Sequence, residues 1–117
     1  MPEVRPEAAA AAAWWADALG PGVDAERAAA FRRELAERIE ARCQDAAWQP
    51  DVPTYGSCGR QVTSDPRPDE ALARAARAAG VTALLDGLPR AVMWVDPGEV
   101  TVETQRDGEP ARVWPPA

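Results

Sequence analysis

Histidine, lysine and asparagine are absent from the 117-residue chain, and isoleucine, phenylalanine and tyrosine occur once each. All 13 of its basic residues are therefore arginine. A GC-rich coding bias suffices to produce such gaps, yet they still exclude chemistry. Without histidine or lysine there is no Ser–His–Asp triad, no Cys–His pair, no Schiff base and no Walker-type lysine. Cysteine is nearly as scarce. Cys43 and Cys58 are the only two, they form no Cys-x-x-Cys motif, and no histidine could complete a zinc site with them. No metal and no cofactor are expected. A disulfide closing the 43–58 loop is geometrically conceivable, but a cytosolic chain keeps such thiols free, and two buried free thiols are the expectation.

Long apolar runs are missing too. Residues 7–13 are mostly alanine behind a single basic residue, Arg5, which is too weak and short for a membrane span and poor as a signal peptide. The chain reads as cytoplasmic. Its formal charge of −6 argues against free nucleic acid and anionic membrane surfaces as partners. Basic protein surfaces, or plain solubility, are what that charge suits.

What is present reads as one α+β domain over residues 1–117. Pro6 and the alanine run through Trp15 to Leu19 predict a first helix, ended by Gly20-Pro21-Gly22. Adjacent Trp14 and Trp15 lie about 100° apart on a helix, so only one of them can face the core squarely. Asp24 caps a second helix to about Cys43, where Phe31, Leu35, Ile39 and Cys43 recur every fourth position. Residues 44–68 form a long connecting segment punctuated by proline and glycine, with a short strand at 60–63 as one option. Asp69 caps a third helix, residues 70–79, and Gly80-Val81 has the composition of a left-handed C-terminal cap.

The remainder predicts a three-stranded antiparallel meander: strands at 91–95, 100–105 and 111–114, with turns at Asp96-Pro97-Gly98-Glu99 and Asp107-Gly108. About three N-terminal helices would pack on one face of it. A two-residue turn at Asp107-Gly108 pairs Val102 with Val113 and Glu103 with Arg112, the latter as a cross-strand ion pair. The valines then face the helices, and Trp94, Thr101 and Trp114 form a row on the other face.

The order of features resembles small phage and mobile-element proteins of unassigned function. The residues carrying it are Tyr55-Gly56-Ser57-Cys58-Gly59, the helix ending Ala79-Gly80-Val81, Met93-Trp94-Val95 and Asp107-Gly108-Glu109-Pro110. It covers residues 31–114, treats 60–68 as an addition and leaves out the first helix. The resemblance implies a setting in which small proteins inhibit or modify a host or defence protein by contact, and it brings no catalytic residues.

Two sites follow. Trp94 and Trp114, with Thr101, Glu103 and Arg112, would form a contact face for a protein partner or a second copy, because tryptophan dominates interface hot spots. Tyr55, Cys58 and Arg60 mark a loop site, where a glycine-flanked thiol could be held as thiolate by Arg60. The glycines and cysteine there also read as a structural turn. The leading function is a non-enzymatic protein-binding module. An acidic nucleic-acid mimic and a small cysteine- or carboxylate-based enzyme are the alternatives.

Overall fold

The computed structural model describes residues 3–106 and 108–116. Helix α1, Pro6–Ala18, starts with proline in its first turn, where the missing N–H costs nothing. Helix α2, Ala25–Asp45, starts where the Asp24 carboxylate accepts the Arg27 N–H at 2.9 Å. Its four-residue stripe of Phe31, Leu35, Ile39 and Cys43 is buried throughout. Helix α3, Glu70–Ala79, is capped by Asp69, whose Oδ1 accepts the N–H groups of Ala71 at 2.9 Å and Leu72 at 3.2 Å. Gly80 ends it at φ +74°, which a side chain would resist, and the Val81 N–H returns to the Ala76 carbonyl at 2.9 Å.

Four strands, not three, follow the helices in space. Strand β1, Val62–Thr63, pairs antiparallel with β2, Ala91–Asp96; then come β3, Glu99–Thr104, and β4, Pro110–Trp114, in the sheet order β1-β2-β3-β4. β1 was legible only as an option because two residues carry no periodicity. Its partners fix it: Val62 lies opposite Met93, and Ser64 continues the ladder with an N–H to the Ala91 carbonyl at 2.9 Å. Ala91, Met93, Val95, Val100 and Val102 are buried on one sheet face and form the core with the helices. Trp15 is the largest buried side chain, while Trp14 is half-buried and meets it edge to face at 4.9 Å.

The β3–β4 register departs from the sequence reading. The ladder runs Glu103 to Pro110, Val102 to Ala111 and Thr101 to Arg112, so Val102 does not pair with Val113 nor Glu103 with Arg112. The connection is longer than a two-residue turn; Gly108 at φ +73° closes it with an N–H to the Thr104 carbonyl at 2.9 Å, and Asp107 lies outside the described residues. No Glu103–Arg112 ion pair occurs among the described residues. A register shift between Val100 and Thr101 then moves Trp114 opposite Val100, on the valine face. Trp114 and Val113 pack against the core there, and α1 contacts β4.

Candidate functional site

The open face of the sheet carries one tryptophan instead of two. Trp94 lies opposite Thr101, which lies opposite Arg112, and beside that row stand Val92, Glu103 and Pro110. Trp94 is half-buried and takes no part in the core packing that holds Trp114. Four of the five expected contact residues, Trp94, Thr101, Glu103 and Arg112, thus share this face, and Trp114 leaves it because of the register shift. Asp96, two positions along the strand from Trp94, is on the same side.

Arg60 brings the second candidate region to the edge of the first. Its side chain is entirely buried, which its type and the surrounding glycines gave no reason to expect. Nε donates to the Val95 carbonyl at 2.6 Å, and Nη2 to the Pro53 carbonyl and the Asp96 carboxylate, both at 3.0 Å. Nη1 donates to the Tyr55 carbonyl at 3.1 Å and to the Ala47 carbonyl. Gly56, at φ +79°, has no room for a Cβ, which would sit 3.0 Å from Arg60 Nη1 and 3.1 Å from the Ala47 carbonyl oxygen. One guanidinium therefore fastens the segment before it to the Asp96 end of β2. This corrects the thiolate reading, because the donors of Arg60 are spent on backbone carbonyls and Asp96. Cys58 is exposed on a 3-10 turn, Ser57–Arg60, and so is not the buried thiol expected. Cys43 is free and buried as expected, and burial pushes its thiol up to about 11.

The same segment displays Val52 and Tyr55, the exposed large hydrophobics among the described residues, at 50% and 58%. Sequence reasoning missed Val52 and Asp96. Asp96 was read as a turn residue, although strand alternation already placed it on the Trp94 side.

A second cation steadies the segment from below. Arg5 Cζ sits 4.4 Å from the Trp48 ring centroid and Arg60 Cζ 5.4 Å, so the indole is flanked by two guanidiniums. Arg5 also grips Glu40, with Nε–Oε1 at 3.0 Å and Nη2–Oε2 at 2.7 Å, and its backbone N–H donates to Oε1 at 2.8 Å. Burial pushes the Glu40 carboxyl up, but these bonds and one from Gln44 outweigh it and hold the carboxyl below its ordinary range. A lowered carboxyl adds stability that is complete above its unfolded value of about 4.3 and is lost as pH falls through the folded value. Glu40→Gln is therefore expected to melt earlier than the native protein at pH 7. Its melting temperature should decline less between about pH 5 and pH 3. Parallel decline of both proteins in calorimetry across that range would contradict this account of Glu40.

Other carboxylates have internal duties. Glu7 of α1 accepts the Gly98 N–H at 3.0 Å, and Asp69 Oδ2 accepts from the Thr63 N–H and Arg42, both at 3.0 Å. Among the described residues no group of three or more His, Cys, Asp or Glu is placed to hold a metal ion. No described helix is long and apolar enough to cross a membrane.

A helical layer on one face of a four-stranded antiparallel sheet, with the other face open, is the architecture of a known small domain. The BTG/Tob domain of FOG-3 from C. elegans superposes with a TM-score of 0.82 at 21% identity, over 92% of this chain and 87% of that one. The BTG family profile matches residues 4–114, and the chain belongs to the BTG family. A BTG family protein of Dictyostelium discoideum is 32% identical over 105 residues, covering 86% of this chain and 25% of that relative. The chain thus spans a quarter of the length of the curated relative it matches.

These matches overturn the resemblance to phage and mobile-element proteins, and the inhibitor and anti-defence setting that came with it. The residues that carried it lie inside the BTG match, as do the first helix and the stretch 60–68 that it left out. It rested on a helix cap, a Gly-bearing turn and a Met-Trp strand, which many small α+β chains share because the same local geometry demands them.

Proposed function

We propose that this chain is a single-domain, non-enzymatic protein-binding module that takes a protein partner on the open sheet face centred on Trp94. Thr101, Glu103 and Arg112 form its polar surround, and the segment with Val52, Tyr55 and Cys58 borders it at the Asp96 end. The observation that carries this reading is Trp94 itself: a half-buried indole outside the core packing, beside a segment that exposes two further large hydrophobics. Apolar surface of that kind, rimmed by charge, is what a partner contact uses. Membership of the BTG family supports a binding role for the domain. The internal use of Glu7, Glu40, Asp69 and Asp96 speaks against an acidic mimic or a carboxylate enzyme. The free thiols at Cys43 and Cys58 suit a reducing, cytoplasmic setting.

Trp94 and Trp114 separate binding from folding. Trp94→Ala is expected to weaken partner capture roughly thirtyfold, about 2 kcal/mol, with the melting temperature nearly unchanged. Trp114→Ala is expected to lower the melting temperature, since that ring packs against the core. Quantitative affinity capture from source cells, with sedimentation to detect a second copy as the partner, reads the first effect and calorimetry the second. Undiminished capture and self-association by the Trp94→Ala protein would remove this face from consideration.

A further inference from the structure

We propose that the groove between α2 and α3 binds an acidic segment of a protein partner, at a site separate from the Trp94 face. The groove has a volume of about 470 Å³ and is lined by Arg38, Glu70, Ala73, Arg74, Arg77 and Ala78. Alanine keeps its floor low, and three arginines face one glutamate. That balance is unusual on a chain of net charge −6.

The arginines are poorly used by the protein itself. Arg38 Nε is buried with no hydrogen-bond partner, and Arg38 Nη2 comes no nearer than 4.0 Å to Glu34. The side chain is nevertheless 35% exposed, so the outer nitrogens of its guanidinium are the donors it can offer to a ligand in the groove. Arg77 forms no ion pair among the described residues. Arg74 meets Glu70 at 3.1 Å, but side chains 61% and 73% exposed hold each other weakly and exchange readily for a better partner. Guanidinium forks donate paired hydrogen bonds to carboxylates, so side-chain carboxylates presented in a row match this lining.

Charge decides between a peptide and a nucleic acid. A nucleic acid longer than the groove runs on past its three arginines over the surface of a chain of net charge −6. A short acidic segment samples only the local field, since more distant charges are screened beyond about 8 Å at physiological salt. Placement makes the site independent of the sheet face. Ala73, Arg74, Arg77 and Ala78 are exposed on the outer side of α3, opposite its buried Leu72, Ala75 and Ala76, whereas Trp94 lies across the core. Both surfaces can be occupied at once.

Titrating the isotope-labelled chain with hexaglutamate, and separately with hexauridylate, tests the proposal by NMR. Saturable shifts are expected at the amides of Arg38, Ala73, Arg74, Arg77 and Ala78 with the peptide. The Arg38→Gln/Arg77→Gln protein should bind it about tenfold more weakly. Arg32→Gln/Arg33→Gln, which removes the same charge elsewhere on α2, should stay within about twofold. Ala73→Glu puts a repelling charge on the floor and should reproduce the loss even if the double arginine variant melts early. Trp94→Ala should leave the peptide titration unchanged, so this outcome stands apart from that of the sheet face. Shifts spread over every arginine, equal losses in both double variants, or tighter binding of the RNA probe would each overturn the assignment.

Discussion

Replacing Arg60 by methionine is expected to destabilise the domain by about 3–5 kcal/mol, enough to leave a marginal protein largely unfolded at 37 °C. The side chain is fully buried and gives its donors to four backbone carbonyls and to Asp96, whose own side chain is only 14% exposed. Methionine fills similar space but leaves a nearly buried carboxylate without its cation and the carbonyls of Ala47, Pro53, Tyr55 and Val95 without a donor. Lysine should not rescue it, because an ammonium has three donors at a point where the guanidinium spreads five. Asp96→Asn should cost less, since Arg60 keeps its carbonyl partners. Adding Asp96→Asn to Arg60→Met should cost less than the sum of the two. For a domain of this size the Arg60→Met loss corresponds to roughly 15 °C or more in melting temperature. A thermal scan by circular dichroism within about 2 °C of the native protein would show that the segment holds without this guanidinium.

Trp15→Ala is expected to cost about 3–5 kcal/mol, and Trp14→Ala well under half of that. Trp15 is completely buried in the core, whereas Trp14 is half-buried and touches it edge to face at 85°. Deleting the inner ring opens a cavity among α1, α2 and the sheet that alanine-rich neighbours cannot collapse into. Trp15→Phe should be much milder than Trp15→Ala, because the Trp15 Nε1 has no hydrogen-bond partner to lose. Urea unfolding curves for the three variants give the order directly. A larger loss at Trp14 than at Trp15 would reverse the assignment of the inner ring.

The helices were legible because their signals are local. Asp24 and Asp69 accept the first-turn N–H groups, Gly80 takes the left-handed cap, and the four-residue spacing from Phe31 to Cys43 is buried as a stripe. Nothing beyond a few neighbours decides those features. The β3–β4 register was not legible, because two non-local facts set it: a connection longer than its Asp-Gly dipeptide implies, and the register shift that turns Trp114 toward α1. A single slipped pairing exchanged one member of the candidate face while leaving Trp94, Thr101 and Arg112 in line. Arg60 was the harder case. Residue type says that arginine is exposed, and its burial depends on carbonyls from Pro53, Tyr55 and Ala47 that find no strand partner of their own. Asp96, a carboxylate on the Trp94 side of its strand, was the available hint of a cationic partner.

The bond from Gly98 to Glu7 joins residues 91 positions apart, and α1 packs on β2, β3 and β4. That contact has a consequence for synthesis. On the ribosome, α1 emerges first with Trp15 and its alanines facing water, and the strands that cover them are made last. At roughly 5–20 residues per second, the interval lasts about five to twenty seconds. Throughout it the nascent helix has only α2 to shelter its apolar side, so the domain cannot close in pieces as it is translated. Closure comes in one late step, after β4 has cleared the exit tunnel, and until then a chaperone that grips short alanine- and tryptophan-bearing helices has its best opportunity.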